Sequence, residues 1–447
     1  MPSPSILFYF KILKNFVRWR ASFCLRILSD FFGFFTEMST SVWHLSILYG
    51  WRRGFLPVAS LRGIGYVPCA WCPPHDRALC LSGHSTLAEP HYGGRMMRKC
   101  LPMFLLALLA LGSTCFAEDL KVGFVYVSPV GDAGYSYAHD QGRLAVEAMD
   151  GVTTSFVESV AEGQDSERVI MNMARKDYDI IFATSYGYMD PMLKVSKEFP
   201  KVKFLHCSGY KNSENMANYF GRIYQARYLT GMVAGAMTKA KVLGYVAAFP
   251  IPEVIRGINA FTLGAQAVNP NVQVRVVWTK TWYDPATEKE AAKSLLDVGC
   301  DVIAQHQDSP GPQEAAEERG VYSVGYNTDM AKFAPKSHLT AAIWNWGPFY
   351  TEMVQQIKDG TWKSQFYWYG LDKGIVDIAP FGAMVPAEVQ KTVLAKKAEI
   401  ASGAYKVFTG PIKDQAGAEK VATGVTMADA DLLGFNWFVQ GVVGTLE

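Results

Sequence analysis

Cysteine is scarce where a folded domain would use it. The 447-residue chain has eight cysteines, but only Cys207 and Cys300 follow residue 115. Two thiols cannot build a disulfide framework of the kind small secreted domains use. Each sits at the end of an apolar, strand-like run, so buried free thiols are the expectation. No stretch after residue 117 carries the run of aspartates that a calcium-dependent exported hydrolase needs. The longest aliphatic run, 101–111, is too short for a comfortable membrane span. Charge of either sign is also thin, 19% of residues with a net of +2. That excludes a nucleic-acid binder driven by bulk positive charge.

The small net charge hides two different materials. Residues 1–117 hold 12 Lys+Arg against 4 Asp+Glu, a net +8, which leaves 31 against 37, a net −6, for 118–447. The join is MMRKCLPMFLLALLALGSTCFA (96–117): a basic start at Arg98 and Lys99, a short apolar centre, and small residues before a cut ahead of Glu118. This is the grammar of a secretory signal peptide. It predicts export to the periplasm. Lipid anchoring at Cys115 is the weaker alternative, because Gly112, Ser113 and Thr114 make a poor lipobox. A leader belongs at the start of a chain, so 1–95 is expected to be a spurious upstream extension. Its one chemical lure, Cys69, Cys72, His75, Cys80 and His84, fits no standard zinc spacing, and no metal or cofactor is expected.

After residue 118 the pattern alternates. LKVGFVYV (120–127), VTTSFVESV (152–160), YDIIFATS (178–185) and KVKFLHCSG (201–209) read as strands, with amphipathic stretches at 137–150, 164–177 and 188–200 between them. GRIYQARYLTGMVAGAMTK (221–239) reads as a long helix with small residues spaced for close packing. The alternation then restarts, with strands at 241–249, 272–282, 300–307, 321–329 and 339–346. Short buried strands alternating with helices predict parallel α/β sheets. Two such halves, with no low-complexity linker, predict two Rossmann-like lobes facing across a cleft. The expected partition is 118–240 plus 347–365 for the first lobe and 241–346 plus 366–447 for the second. A ligand would then lie beyond the carboxyl ends of the strands.

The segments at those ends repeat one vocabulary: SPVGDAGYSYAHDQGR (128–143), SYGYMD (185–190), SGYKNSENMANY (208–219), AFPIPEVIRG (248–257), TKTWYDP (279–285), HQDSPG (306–311), GYNTDM (325–330) and WNWGP (344–348). Tyr or Trp recurs beside Asp or Asn and then Gly or Pro. Aromatic faces with adjacent carboxylates suit a flat ligand with N–H donors at its edge, and an Asn such as Asn345 can pair both ways with an adenine-like edge. Each residue also has a structural reading: rim aromatics for Tyr and Trp, helix caps for Asp, hydrogen-bonded core residues for His139 and His306.

SPVGDAGYSYAHDQGR, the YFGRIYQARYLTGMVAG helix, HQDSPG, VGYNTDM and the closing NWFVQGVVG together resemble the basic membrane protein (Bmp) family of ABC-importer substrate-binding proteins, over roughly 120–445. The resemblance implies a type I periplasmic-binding-protein fold with a hinge of crossing strands, an inner-membrane permease as partner, and no chemistry. DAGYSYAHDQGR with WNWGP is similar to the branch associated with purine bases. Carried over by position, the resemblance points to Tyr135 or Tyr137 as a stacking ring with Asp132 and Asp140 nearby, to Tyr186 and Gly187 as a second wall, and to Phe249, Asp308 and Asp329 from the second lobe. Nucleoside receptors of the family hold ribose with acidic and lysine residues. Here the neighbourhood carries Trp344 and Trp346, whose bulk favours a free base. The expectation is a monomeric adenine receptor in which Tyr137 and Trp346 sandwich the base, and Asp308 and Asp329 take its N–H groups. The alternatives are a nucleoside receptor, a receptor that signals rather than transports, and an exported nucleoside hydrolase.

Overall fold

The structure is a computed structural model that describes residues 57–60, 63–66 and 119–446. The first two segments are short antiparallel strands, Pro57–Ser60 and Gly63–Tyr66. The rest of 1–95, with its Cys/His segment, and the leader at 96–117 lie outside the described residues.

From Leu120 the chain builds two parallel sheets. The first is laid down by Leu120–Val125 (β1), Val152–Val157 (β2), Ile180–Ala183 (β3), Lys203–Cys207 (β4) and Met216–Gly221 (β5), with helices Tyr135–Glu147 (α1), Gln164–Arg175 (α2) and Met189–Glu198 (α3) between strands. All of β3 is buried. A strand covered on both faces needs an unbroken apolar run rather than alternation, which is what IIFA (180–183) supplies. Helix α2 buries Ser166, Ile170, Met173 and Ala174, a single stripe at helical spacing.

Tyr224–Met237 (α4) leads into the second sheet. There Val242–Ala247 (β6), Gln273–Trp278 (β7), Val302–His306 (β8), Tyr322–Asn327 (β9) and His338–Trp344 (β10) alternate with Pro252–Val268 (α5), Pro285–Asp297 (α6) and Gly311–Arg319 (α7). Trp346–Lys358 (α8), Phe366–Tyr369 (β11), Val376–Ile378 (β12) and Ala387–Ala401 (α9) follow. Ile412–Lys413 (β13), Glu419–Val421 (β14), Asp429–Leu433 (α10) and Val442–Val443 (β15) close the described chain. The first sheet runs β11-β5-β4-β3-β1-β2 and the second β12-β10-β9-β8-β6-β7-β15. Only β12 is antiparallel to its neighbour within them. This is the architecture of periplasmic-type solute-binding proteins, two α/β lobes side by side.

Three details depart from the sequence reading. Strand β5 falls inside a segment read as a connecting loop. All six of its residues are buried, and the polar Asn218 that disguises it is bound to His206 Nδ1 at 2.8 Å. Helix α1 begins at Tyr135, so both tyrosines of the first turn sit on the helix. Residues 366–369, assigned above to the second lobe, pair with β5 in the first sheet, while α4, assigned to the first, packs on α5, β10 and β12 of the second. The chain therefore crosses between sheets near residues 222, 345 and 370. The crossings lie side by side, for Arg222 N donates to Tyr369 O at 2.7 Å and Asn345 N to Ile375 O at 2.8 Å. Three adjacent crossings make a hinge.

Candidate functional site

The carboxyl ends of both sheets converge on one cleft. The first lobe contributes Val127 and Tyr135 after β1, Thr184, Ser185 and Tyr186 after β3, and Ser208 after β4. The second contributes Glu253 at the start of α5, Trp282 after β7, His306 and Asp308 at the end of β8, and Tyr326 in β9. Four large rings and a histidine thus share the cleft with two carboxyls.

Asp308 is strongly perturbed. Burial, reinforced by the negative Glu288 behind it, holds its carboxyl well above the usual range, and a hydrogen bond from Asn327 opposes the shift in part. Asn327 Nδ2 donates to Asp308 Oδ1 at 3.1 Å, and Asn327 Oδ1 accepts from Trp344 Nε1 at 2.9 Å. The cleft carboxyl is therefore anchored through one amide to the hinge. His306 is pushed down to about 4 by burial, with Glu253 Oε1 at 3.4 Å from Nε2 opposing. Tyr135 spends its hydroxyl on Cys207 Sγ at 3.3 Å, so it offers a ring rather than a donor. Cys207 and Cys300 are both free and buried.

The two lobes touch at the cleft edge. Lys332 Nζ lies 2.5 Å from Asp132 Oδ2 and 2.9 Å from its carbonyl, and Gly134 N donates to Thr328 Oγ1 at 3.2 Å. A Cβ on Gly134 would stand 2.0 Å from the Asp308 carbonyl oxygen, and its φ of +95° is one that other residues resist. Glycine here lets the first-lobe loop lie directly against the backbone that carries Asp308.

Of the residues singled out from sequence, the structure brings Tyr135, Tyr186 and Asp308 together in the cleft and sets Asp132 at its edge. The others stand elsewhere. Tyr137 is half-buried on α1, outside the lining. Asp140 is clamped by Arg143 at 2.5 Å and accepts from the Tyr126 hydroxyl at 3.3 Å. Gly187 N donates to Glu162 Oε1 at 2.9 Å. Phe249 lies behind Trp282, ring centres 5.0 Å apart. Asp329 is half-exposed and accepts from Ala331 N at 2.9 Å. Asn345 is exposed and donates to Gly374 O at 3.0 Å. Trp344 and Trp346 stack on each other at 4.8 Å, and His139 stacks on Trp346 at 4.8 Å, leaving Trp346 1% exposed. Rings covered this way are hinge core, not a ligand wall, so the Tyr137–Trp346 sandwich gives way to other rings.

Glu253, Trp282, His306, Tyr326, Ser185 and Ser208 were not chosen from sequence, although each lies inside one of the strand-end segments quoted above. For two of them position along the strand is the signal: Tyr326 and His306 sit within the last two residues of their strands, where side chains reach the cleft.

Among the described residues no group of three or more His, Cys, Asp and Glu could hold a metal ion, and no helix is long and apolar enough to cross a membrane. The chain is similar, at 48% identity over 335 residues, to a purine-binding protein of Brucella abortus (strain 2308), a match covering 74% of this chain and 95% of that one. It is 43% identical over 300 residues to a Haloferax volcanii protein provisionally named an ABC transporter glucose-binding protein, covering 67% and 76% of the two chains. Among solved structures, a solute-binding protein from Aeropyrum pernix K1 superposes with a TM-score of 0.57 at 19% identity, covering 70% of this chain and 95% of that one. One from Conexibacter woesei DSM 14684 gives 0.54 at 24%, covering 64% and 98%. The family model described as "ABC transporter substrate-binding protein PnrA-like" matches residues 119–409, which take in the first sheet, all of the second but its edge strand β15, all three crossings and every residue that lines the cleft. A two-lobed receptor fold with its hinge and its cleft inside that match places this chain in the Bmp family of ABC-transporter substrate-binding proteins.

Proposed function

We propose that this protein is an extracytoplasmic, monomeric receptor that captures a purine nucleobase, adenine foremost, and delivers it to an inner-membrane permease without transforming it. The observation that carries this reading is a buried carboxyl, Asp308, in a cleft walled by Tyr135 and Tyr186 from one lobe and Trp282 and Tyr326 from the other. Rings from both sides suit a flat heterocycle, and stacking on an aromatic contributes about 1–3 kcal/mol per base. Closure of the lobes around the hinge then buries the ligand.

The state of Asp308 bears on which base. Burial favours the protonated form of Asp308, which has one O–H donor and one carbonyl acceptor side by side. Adenine presents the complement, a ring nitrogen acceptor beside an exocyclic amino donor. The Watson–Crick edge of guanine presents two adjacent donors and would favour an ionised partner. Asp329, which the family resemblance offered to ribose hydroxyls, faces Ala331 instead, which supports a free base over a nucleoside. A second reading, a monosaccharide receptor, is favoured by the Haloferax volcanii relative alone.

Native mass spectrometry of protein secreted behind residues 97–117 tests the reading. A co-purifying mass equal to a purine base supports it. A nucleoside mass keeps the family and overturns the free-base assignment, and a hexose mass overturns the purine reading.

A further inference from the structure

Behind the second-lobe wall lies a polar cluster that shares one residue, His306, with the cleft. Arg227, on α4, is fully buried, and its guanidinium carbon stands 3.6 Å from the centre of the Tyr326 ring. Nη1 donates to the Gln305 carbonyl, while Nε and Nη2 have no partner in the protein. The Tyr245 hydroxyl on β6 and His306 Nδ1 at the end of β8 are buried without one as well. Three of these four atoms meet at one place. From the point where a Cβ would stand on Gly257 of α5, His306 Nδ1 and Tyr245 Oη are each 3.7 Å away and Arg227 Nε is 3.8 Å. They are the three nearest atoms to that point outside the helix's own backbone, and all three are unpartnered polar atoms. Buried polar groups left unpaired are costly, and polar niches inside proteins hold ordered water on two to four hydrogen bonds.

We propose that Arg227, Tyr245 and His306 hold one buried water molecule against Gly257, and that glycine occupies position 257 to make room for it. The hydrogen-bond roles select water over an anion. His306 Nε2 has Glu253 Oε1 at 3.4 Å and the Tyr326 hydroxyl at 3.3 Å; with the ring proton on Nε2, directed at these two oxygens, Nδ1 is left to accept. Arg227 Nε–H only donates, and the Tyr245 hydroxyl is free to donate. A water accepts from these two and donates to Nδ1, whereas a halide can only accept and would leave Nδ1 unmatched. The water ties the Arg227 charge to a ring whose far side lines the cleft, and so sets the orientation of His306 beside Tyr326. The inference does not depend on which ligand the cleft takes.

Substitution at Gly257 tests it by sign. The nearest atoms outside the helix would stand at van der Waals distance from an alanine methyl, and alanine is the better helix former. Without a guest, Gly257→Ala would therefore melt about 1–3 °C higher than the parent. With the water in place the methyl displaces it, and the variant melts lower by about 3 °C or more. A high-resolution crystal structure of the parent is the second arm. The expected result is one isolated density peak within hydrogen-bond distance of Arg227 Nε, Tyr245 Oη and His306 Nδ1, lost in Gly257→Ala. A higher melting point, an absent peak, or an anomalous peak there in bromide-soaked crystals would overturn the proposal. Should Gly257→Ala fail to fold, Tyr245→Phe serves. It is expected to weaken the peak and melt lower by about 1–3 °C, and an unchanged peak and melting point would count against the proposal.

Discussion

Trp282 and Trp346 both follow the carboxyl end of a second-lobe strand, yet one lines the cleft and the other is closed in between Trp344 and His139. The cleft and the hinge use the same vocabulary, rings beside amides and carboxyls, for opposite ends. What separates them is whether a ring's faces are already taken. In the hinge they are, and the polar partners are spent too: Trp344 donates to Asn327 and Asn345 to Gly374. In the cleft, rings from two lobes share a cavity with a carboxyl that carries a single protein hydrogen bond, from Asn327. The comparison teaches that an aromatic at a strand end can serve a ligand only if one of its faces is left uncovered: Tyr326 and Trp282 carry Arg227 and Phe249 on one side and still line the cleft.

The sharpest way to break this contrast is to truncate each tryptophan. Trp346→Ala should cost about 3–5 kcal/mol of folding stability, read by urea denaturation, because it opens the hinge core. Trp282→Ala should leave stability within about 1 kcal/mol of the parent and lower base affinity by about five- to a hundredfold, read by calorimetry. The reverse pattern would mean that the hinge rings face the ligand after all. Asp308→Ala should lower affinity by on the order of ten- to a hundredfold, while Asp329→Ala should change it less than about twofold, since Asp329 stands half-exposed outside the lining.

Acid should act through the cleft histidine. His306 is held near 4 when folded, below the roughly 6.5 of an unfolded histidine. Its contribution is therefore complete above about pH 6.5 and is lost as pH falls toward 4. The loss is on the order of 3 kcal/mol. Asp308 shifts in the opposite sense, so the informative quantity is the difference between two curves: His306→Gln should lose less stability than the parent over that window. Equal slopes would show that His306 is not buried neutral. The smallest effect belongs to the edge contact between lobes. Lys332→Glu should weaken ligand affinity about two- to fivefold, the modest worth of an exposed ion pair, and Asp132→Lys added to it should restore affinity. A double variant no better than the single would show that the pair does not assist closure.

Much of the fold was legible because burial writes itself into the chain. The unbroken IIFA run declared a strand covered on both faces, and the restart at 241 declared a second sheet. β5 was hidden by Asn218, a polar residue at a fully buried position whose Oδ1 meets His206 Nδ1 and whose Nδ2 donates to Lys211 O and Asn212 Oδ1. The lobe boundaries were misplaced at 240 and 366 because a helix or strand looks the same from either side of a hinge. Only packing shows that α4 belongs with α5 and β11 with β5. For the site, the strand-end segments were legible and the individual residues less so. Asp308 and Asp329 read alike in HQDSPG and GYNTDM, but one is buried in the cleft and the other accepts a bond from its own turn. Glu253 and Trp282 carry no local mark, because what selects them is a neighbour from the opposite lobe.

The central claim is that this cleft takes a flat, unglycosylated purine. Calorimetric titration of the ligand-stripped protein with adenine, adenosine and glucose tests it most directly. The account predicts saturable binding of adenine, at least about tenfold tighter than adenosine, and none of glucose. Tighter binding of adenosine would contradict the free-base assignment, and binding of glucose in preference to either would contradict the claim itself.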